Sequence, residues 1–443
     1  MADSNNNKKS TIKDQKKFWV PRTYMIIDLK SFYASVECAD RGLDAMTTNL
    51  VVADPDRSKG TICLAITPAM KALGVKNRCR IFEIPKGIDY IVAKPRMQRY
   101  IDISAEIYAI YLSFISKDDI FVYSIDEAFL DVIAYLSLYN MSAHDLALKI
   151  MDTIWDKLSV RATCGIGTNL YLAKVALDIM AKHSPDFIAE LDEESYKTRL
   201  WKHKPLTDFW RIGPGTARRL ESMGILTQED IAKCSTDLIF KTFGANGEYI
   251  IDHAWGREPC TIAQIKNYEN KSHSLSCGQV LMRDYSYEET LTVLKEMANE
   301  LSLEMVANHV VSNNFSLYIG YSMGTYSPTG GSVTLDVTTN SVRLMTEALV
   351  SAYEKTTIKT GLIRRLNLSA NGILDESCEQ YSFFVDPRIM EKDRSISRSV
   401  NSLKEKFGKN AVLKGIDLFD EATQIERNGQ IGGHRATGDS EEL

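Results

Sequence analysis

The stretch YSIDEAFLDV (Tyr123–Val132) sets two adjacent acids, Asp126 and Glu127, into an otherwise apolar and aromatic segment. A run of that kind reads as a buried strand, where an unpaired ionised carboxylate is costly. A third acid, Asp28, closes the short apolar run Met25–Ile27. If the two runs are neighbouring strands of one sheet, three carboxylates converge at its edge. Such a cluster repels itself unless cations neutralise it. Hard oxygen donors suit Mg²⁺, which keeps open positions for water and phosphate oxygens. Two such ions could stabilise the attacking and leaving oxygens of an in-line phosphoryl displacement. The arrangement makes one geometric demand: consecutive side chains on a regular strand point to opposite faces. The chain must therefore bend near Asp126 if Glu127 is to reach the same ions. Without the third acid, an Asp-Glu pair is more often a turn or a helix cap.

The elements that would position these acids alternate along the chain. Met25–Ile27, NLVVAD and TICLAIT read as strands, and PAMKALGV as a helix with Pro68 in its first turn and Gly74 past its end. Helical spacing spans 98–114 and again about 142–158, followed by the strand VRATCGIGT and the helical NLYLAKVALDIMAK. Interleaved strands and helices argue for an α/β or α+β class. From about Ser184 to Pro259 the pattern turns mostly helical and contains the turn Gly213-Pro214-Gly215, followed by Arg218 and Arg219. That is the look of a helix–hairpin–helix, in which glycines permit a tight turn and exposed N–H groups meet a phosphate oxygen. A polar segment follows, and then a β-α-β-β-α-β order that makes a second compact α+β unit. The remainder, from about Glu376, is weakly patterned.

Length and composition bound the answer. A chain of 443 residues exceeds one ordinary core, and a 44% hydrophobic fraction is enough to build several. No apolar run is long enough to span a membrane, and the polar N-terminus lacks the apolar centre of a signal peptide. The eight cysteines are scattered with no metal-ligand spacing, as expected of reduced cytoplasmic thiols. A net charge of −5 argues mildly against a nucleic-acid partner. Yet Lys71–Arg99 holds eight cations against two acids, and patches rather than totals do the binding. On composition alone, that stretch fits a solvated face equally well.

These residues carry a resemblance. YSIDEAFLD resembles the signature of the Y-family, or translesion, DNA polymerases, and IIDLKSFYASVE their N-terminal motif. MKALGVKNRCRIFE resembles the fingers of the UmuC-like bacterial branch, CGIGTNLYLAKVALDIMAK the second palm motif, and RNGQIGGHRA the UmuC-like proteins of Gram-positive bacteria and their plasmids or phages. The resemblance covers residues 23–436. It implies an α+β multidomain right hand: a ferredoxin-like palm, small fingers, a helical thumb with the hairpin, and a β-α-β-β-α-β little finger. The expected division is a disordered arm at 1–22, palm at 23–38 and 96–187, fingers at 39–95, thumb at 188–260, linker at 261–273, little finger at 274–378 and a C-terminal tail at 379–443.

Carried over by position, the resemblance makes Asp28, Asp126 and Glu127 the catalytic acids. With the Leu29 carbonyl they would bind two Mg²⁺. Some members have a further acid two residues after the first; here that position is Lys30, which is therefore not a ligand. Of the aromatic pair Phe32 and Tyr33, both placed at the nucleotide, Tyr33 resembles the steric gate that excludes a ribose 2′-hydroxyl; core packing suits Phe32 equally well. Lys71 and Lys182 would hold the triphosphate. Lys71 stands where an Arg or Lys follows a Tyr by three residues, but Pro68 replaces the Tyr. The spacing from Lys174 to Lys182 is one residue longer than in some members. Gly213, Gly215, Arg218 and Arg219 of the thumb, with Arg283 and Arg364 of the little finger, would grip DNA, and Arg211, Arg343 and Arg365 are further candidates. Leu418 and Phe419 resemble a sliding-clamp peptide without its leading Gln, although packing on their own protein explains them as well. Asp131 is expected to be structural.

The implied activity is low-fidelity, DNA-directed extension of a primer 3′-hydroxyl with deoxynucleotides opposite damaged template, without proofreading. The implied partners are primer–template DNA, dNTPs and a sliding clamp, with a RecA filament and a UmuD-type subunit suggested by UmuC-like relatives, and no membrane. Two other classes share parts of the pattern: a nucleotidyl cyclase-like palm enzyme, which would need neither the hairpin nor a second DNA-gripping unit, and a non-catalytic DNA-binding or regulatory relative.

Overall fold

A computed structural model describes residues 22–57, 60–269, 274–378 and 387–437. Residues 1–21 of the expected arm, 270–273 of the expected linker, and 379–386 and 438–443 of the expected tail lie outside the described residues. The chain forms two compact units, one reaching Tyr268 and one spanning Glu269–Thr437.

In the first unit the strands are β1 (Tyr24–Leu29), β2 (Leu50–Val52), β3 (Ala65–Ile66), β4 (Ile91–Ala93), β5 (Ile120–Val122), β6 (Glu127–Asp131), β7 (Ala162–Gly167) and β8 (Ile188–Leu191). The larger sheet runs β5-β6-β1-β7-β8, with β1 antiparallel to both neighbours and β7 parallel to β8. On one face Tyr24, Ile26 and Phe129 pack with Leu170, Ala173 and Leu177. Met25 and Ile27, which point the other way, are also fully buried. Burial on both faces is why β1 is a continuous apolar run rather than an alternating one. The helix Leu170–Val175 lies directly on β7 because Gly165 and Gly167 have no side chains: a Cβ at Gly165 would fall 2.1 Å from the Ala173 carbonyl oxygen, and one at Gly167 would fall 2.2 Å from the Ala173 nitrogen.

A small sheet, β3-β2-β4, carries the helix Pro68–Ala72, whose Thr67 hydroxyl accepts from the Met70 N–H. A helical segment follows the large sheet, built around Tyr196, Phe209, Leu220, Ile239 and Ile250. β8 belongs to the palm sheet although the sequence reading placed its residues in the thumb. The expected linker also begins too early. Ile262–Lys266 is a helix with a Thr261–Gln264 capping box, and Ile262 is buried. The box starts the helix and Ile262 anchors it in the first unit's core, although the residues that follow are polar.

The second unit has β9 (Ser274–Tyr285), β10 (Val310–Tyr321), β11 (Thr329–Thr339) and β12 (Ile363–Asn371) in the order β11-β10-β12-β9. The helices Tyr287–Ala307 and Val342–Thr356 complete the β-α-β-β-α-β order and share its core with the sheet. Residues 387–437 of the expected tail are a folded part of this unit. A helix, Pro387–Phe407, packs on Tyr287–Ala307. Farther on, the buried Glu296 accepts from the Thr423 N–H (2.9 Å), the Thr423 hydroxyl (3.1 Å) and the Gln424 N–H (3.1 Å).

Candidate active site

β1 and β6 pair in a register that sets Asp28 directly opposite Glu127. Asp126 lies in the turn between β5 and β6, where Tyr123 and Ser124 both donate to the Glu127 carbonyl (2.9 and 3.1 Å). The Leu29 N–H donates to the Asp126 carbonyl (3.0 Å), and the Ser104 hydroxyl pins the turn through the Ile125 carbonyl (2.6 Å). The strand thus begins only at Glu127, and the bend that two adjacent acids require is a hairpin turn. Leu29, at the end of β1, brings its backbone to the same edge.

The three acids are neighbours but do not share a point. Among the described residues, no three His, Cys, Asp or Glu side chains are gathered as metal ligands. Asp126 Oδ1 accepts from the Ser124 hydroxyl at 2.7 Å, and Glu127 Oε1 is held by Lys174 Nζ at 2.7 Å. Burial, then the Glu127 carboxylate, pushes Asp28 up to about 7, although Lys182 pulls the other way. An acid cluster that protonates so readily is short of positive charge, and the donor set is all hard oxygen. In chemistry it fits Mg²⁺.

Lys174 escaped the sequence reading, because a lysine in a helical pattern reads as a surface residue. Its side chain is only 7% exposed. Burial opposes its charge, but Asp178 (3.2 Å) and Glu127 outweigh that and raise its pKa. Beyond it the helix widens into a π-helical turn, Ala176–Met180. Such a turn absorbs one extra residue, which matches the longer spacing to Lys182. Lys182 still faces the site: its charge acts on Asp28, Lys71 and Lys30. The surrounding protein desolvates Lys71 and Lys30 and lowers both. For Lys71 the next cause is Lys182, and for Lys30 it is Lys71. Lys30, set aside as a non-ligand, thus joins a cationic group beside the acids.

Phe32 and Tyr33 part company. Phe32 is 2% exposed and packs inside the fold, as the core-packing alternative for it expects. Tyr33 is half-buried and stacks on Tyr100 with ring centroids 4.4 Å apart. The Tyr100 hydroxyl donates to Glu37 (2.7 Å), which also accepts from Arg96 (2.9 and 3.0 Å); Asp40 accepts from Arg96 and Arg99. Two cations of the basic stretch therefore bind the helices Phe32–Asp40 and Met97–Leu112 together rather than forming a surface patch.

Gly213 and Gly215 stand in open space, where an added Cβ meets nothing within 4 Å. Neither takes a left-handed backbone; the turn's positive φ (69°) belongs to Arg211. What the glycines leave is room to approach the N-terminus of the helix Pro214–Ser222. Arg218 and Arg219 on that helix are exposed. In the second unit Arg283 is paired with Glu289 (2.6 Å) and Arg364 lies 3.7 Å from Asp284, so both face their own acids. Arg343 is exposed on the helix Val342–Thr356. Arg365 is exposed, over the Tyr318 ring, beside Ser276, Asn367 and Ser369 in a surface groove. Leu418 and Phe419 are exposed, at the end of a short 3₁₀ turn (Gly415–Leu418) that Asp417 caps. Asp131 is buried and paired with Arg22, a structural role.

Residues 27–178 match the model of the impB/mucB/samB family, and residues 272–383 match that family's C-terminal domain. "Putative UV-damage repair protein UvrX" of Bacillus subtilis (strain 168) is 32% identical over 94% of this chain and 98% of its own. The chain belongs to the impB/mucB/samB family. Another relative, "DNA polymerase IV 2" of Bacillus subtilis (strain 168), is 30% identical over 93% of this chain and 98% of its own. Among solved structures, a "Y-family DNA polymerase chimera Dbh-Dpo4(243-245)-Dbh" superposes with a TM-score of 0.61 at 21% identity, over 80% of this chain and 99% of that one. The fold of this impB/mucB/samB protein is that of the Y-family polymerases. Among the described residues no helix is long and apolar enough to cross a membrane.

Proposed function

We propose that this protein is a DNA-directed DNA polymerase of the translesion type. The observation that carries the reading is the pairing of Asp28 with Glu127 at a sheet edge, with Asp126 in the adjoining turn and Lys30, Lys71 and Lys182 beside them. Acids that call for divalent cations next to lysines that call for an anion suit a metal-bound triphosphate.

Asp28, Asp126, Glu127 and the Leu29 carbonyl would hold two Mg²⁺, which when bound supply charge stabilisation at the attacking, bridging and leaving oxygens. Lys71 and Lys182, with Lys30, would bind the triphosphate and hold the departing pyrophosphate. Tyr33, backed by Tyr100, would leave no room for a ribose 2′-hydroxyl. Catalysis then rests on positioning and electrostatics. Arg218 and Arg219 would meet the DNA backbone from the thumb and Arg365 from the little finger, a largely sequence-independent grip. Leu418 and Phe419, both exposed, would meet a sliding clamp, and RecA and a UmuD-type subunit would be further partners on this reading.

The test is extension of a primer past an abasic site in Mg²⁺ by the wild type and by the Asp126→Ala, Glu127→Ala double variant. The wild type should extend and the double variant should not. Equal extension by both would remove these acids from the site.

A further inference from the structure

Lys174 is a buried cation ion-paired to two acids, of which Glu127 belongs to the acidic edge and Asp178 does not. Its Nζ lies 2.7 Å from Glu127 Oε1 and 3.2 Å from Asp178 Oδ1, with the side chain 7% exposed. It sits on the helix Leu170–Val175, which Gly165 and Gly167 seat against β7. The same Asp178 oxygen also receives Lys182 Nζ at 3.5 Å. Residues 174, 178 and 182 follow one another along one face through the π-helical turn.

We propose that Lys174 is a positioning residue that works as a latch on Glu127. It occupies the Glu127 carboxylate while no divalent cation is bound, and Asp178 is the partner that receives it when a cation arrives. The inference rests on the proposed metal site at Asp28, Asp126 and Glu127.

The physical case is one of competition. A buried ammonium must remain paired, because an uncompensated buried charge is strongly destabilising. A divalent cation at Glu127 repels Lys174 and takes its partner. The ammonium then needs another acid within reach of a rotamer change, and Asp178 Oδ1 is already in contact. Lys174 therefore balances Glu127 when no metal is bound and sets the free energy a metal must exceed to bind. Because Lys182 draws on the same Asp178 oxygen, an anion that attracts Lys182 would leave Asp178 freer to hold Lys174.

The latch gives two substitutions opposite effects. Lys174→Met keeps the stem but removes the competitor, so affinity for Mn²⁺ should rise about tenfold, equivalent to about 1.4 kcal/mol. Asp178→Asn removes the alternative partner, so Lys174 holds Glu127 harder and Mn²⁺ affinity should fall by a similar factor. Lys174→Arg, which can hold both acids, should stay near wild type.

The measurement is titration of the full-length, nucleotide-free protein with Mn²⁺, following free Mn²⁺ by electron paramagnetic resonance at low salt and at ~1 M salt. At the higher salt the Debye length is about 3 Å, so a general change in surface charge is screened while direct contacts persist. Opposite shifts that survive high salt support the latch. Shifts that vanish with salt, or that share one sign, overturn it. If Lys174→Met does not fold, Asp178→Asn decides alone, and an unchanged or raised affinity overturns the proposal. Glu127→Gln separates the two ideas: if it leaves Mn²⁺ binding unaltered, the metal-site reading itself falls, whereas a loss there with no response at Lys174 or Asp178 removes only the latch.

Discussion

Asp28 on β1 and Glu127 on β6 face each other in register across an antiparallel pair, two carboxylates opposed at a sheet edge. Like charges so placed destabilise a ladder, and Asp28 responds with a pKa pushed up to about 7 by burial and by Glu127. The folded protein therefore binds a proton at Asp28 more tightly than the unfolded chain does. Its contribution to stability is full below the unfolded value of 3.8 and is lost as pH rises through about 7. Asp28→Asn should stabilise the metal-free protein by about 1–3 kcal/mol above neutral pH and by progressively less toward pH 4, while cutting primer extension at least ~10²-fold. Urea unfolding in EDTA at several pH values, beside extension assays, checks both halves. A variant less stable than wild type at pH 8 would contradict the account of the edge.

Tyr33 owes its place to a stack on Tyr100, and Tyr100 owes its own to Glu37. Tyr33→Ala should raise ribonucleotide incorporation relative to deoxynucleotide by about 10–10²-fold, the order of a lost steric contact. Single-nucleotide insertion kinetics with dCTP and CTP opposite template G give the ratio. Unchanged sugar discrimination would remove Tyr33 as the gate.

Glu37 is fully buried and bonded to Tyr100 and Arg96, and it also pairs with Arg41. Removing one partner of such a network strands the others. Glu37→Ala should cost about 3–5 kcal/mol, visible as a fall in the urea midpoint at unchanged m-value. A loss below about 1 kcal/mol would mean that solvent reaches the arginines when the acid is gone.

How much of this was legible in the sequence depends on the kind of signal. Asp28, Asp126 and Glu127 stood out because acids inside apolar runs are anomalous, and the required bend followed from strand geometry alone. Lys174 and Asp178 were missed, although their spacing of four, repeated to Lys182, was available. Nothing in a helix pattern says that Lys174 is buried while Lys182 is exposed. Phe32 and Tyr33 are adjacent and chemically alike, and only burial separates them. The hairpin was credited to its glycines, yet Arg211 carries the positive φ. After Glu376 the helix Pro387–Phe407 was legible as a helical pattern and was not used, whereas the part beyond it docks through single polar contacts, such as Glu296 with Thr423, which leave no periodic trace.

The arginines separate by their partners. Arg218 and Arg219 are exposed on a helix beside an open turn, and Arg365 is exposed above the Tyr318 ring, whereas Arg283 is paired with Glu289. A cation that neutralises a phosphate on binding releases counterions, and its loss lowers the slope of log K against log salt by ~1. Alanine at 218, 219 or 365 should each produce that change and weaken binding alike across template sequences. Arg283→Ala removes a charge already matched by Glu289 and should leave the slope close to wild type. Fluorescence anisotropy with labelled primer–template over a range of KCl concentrations reads all four variants. If Arg283→Ala lowers the slope as much as Arg365→Ala does, the Glu289 pair opens on DNA, and the groove beside Tyr318 is not the surface that distinguishes them.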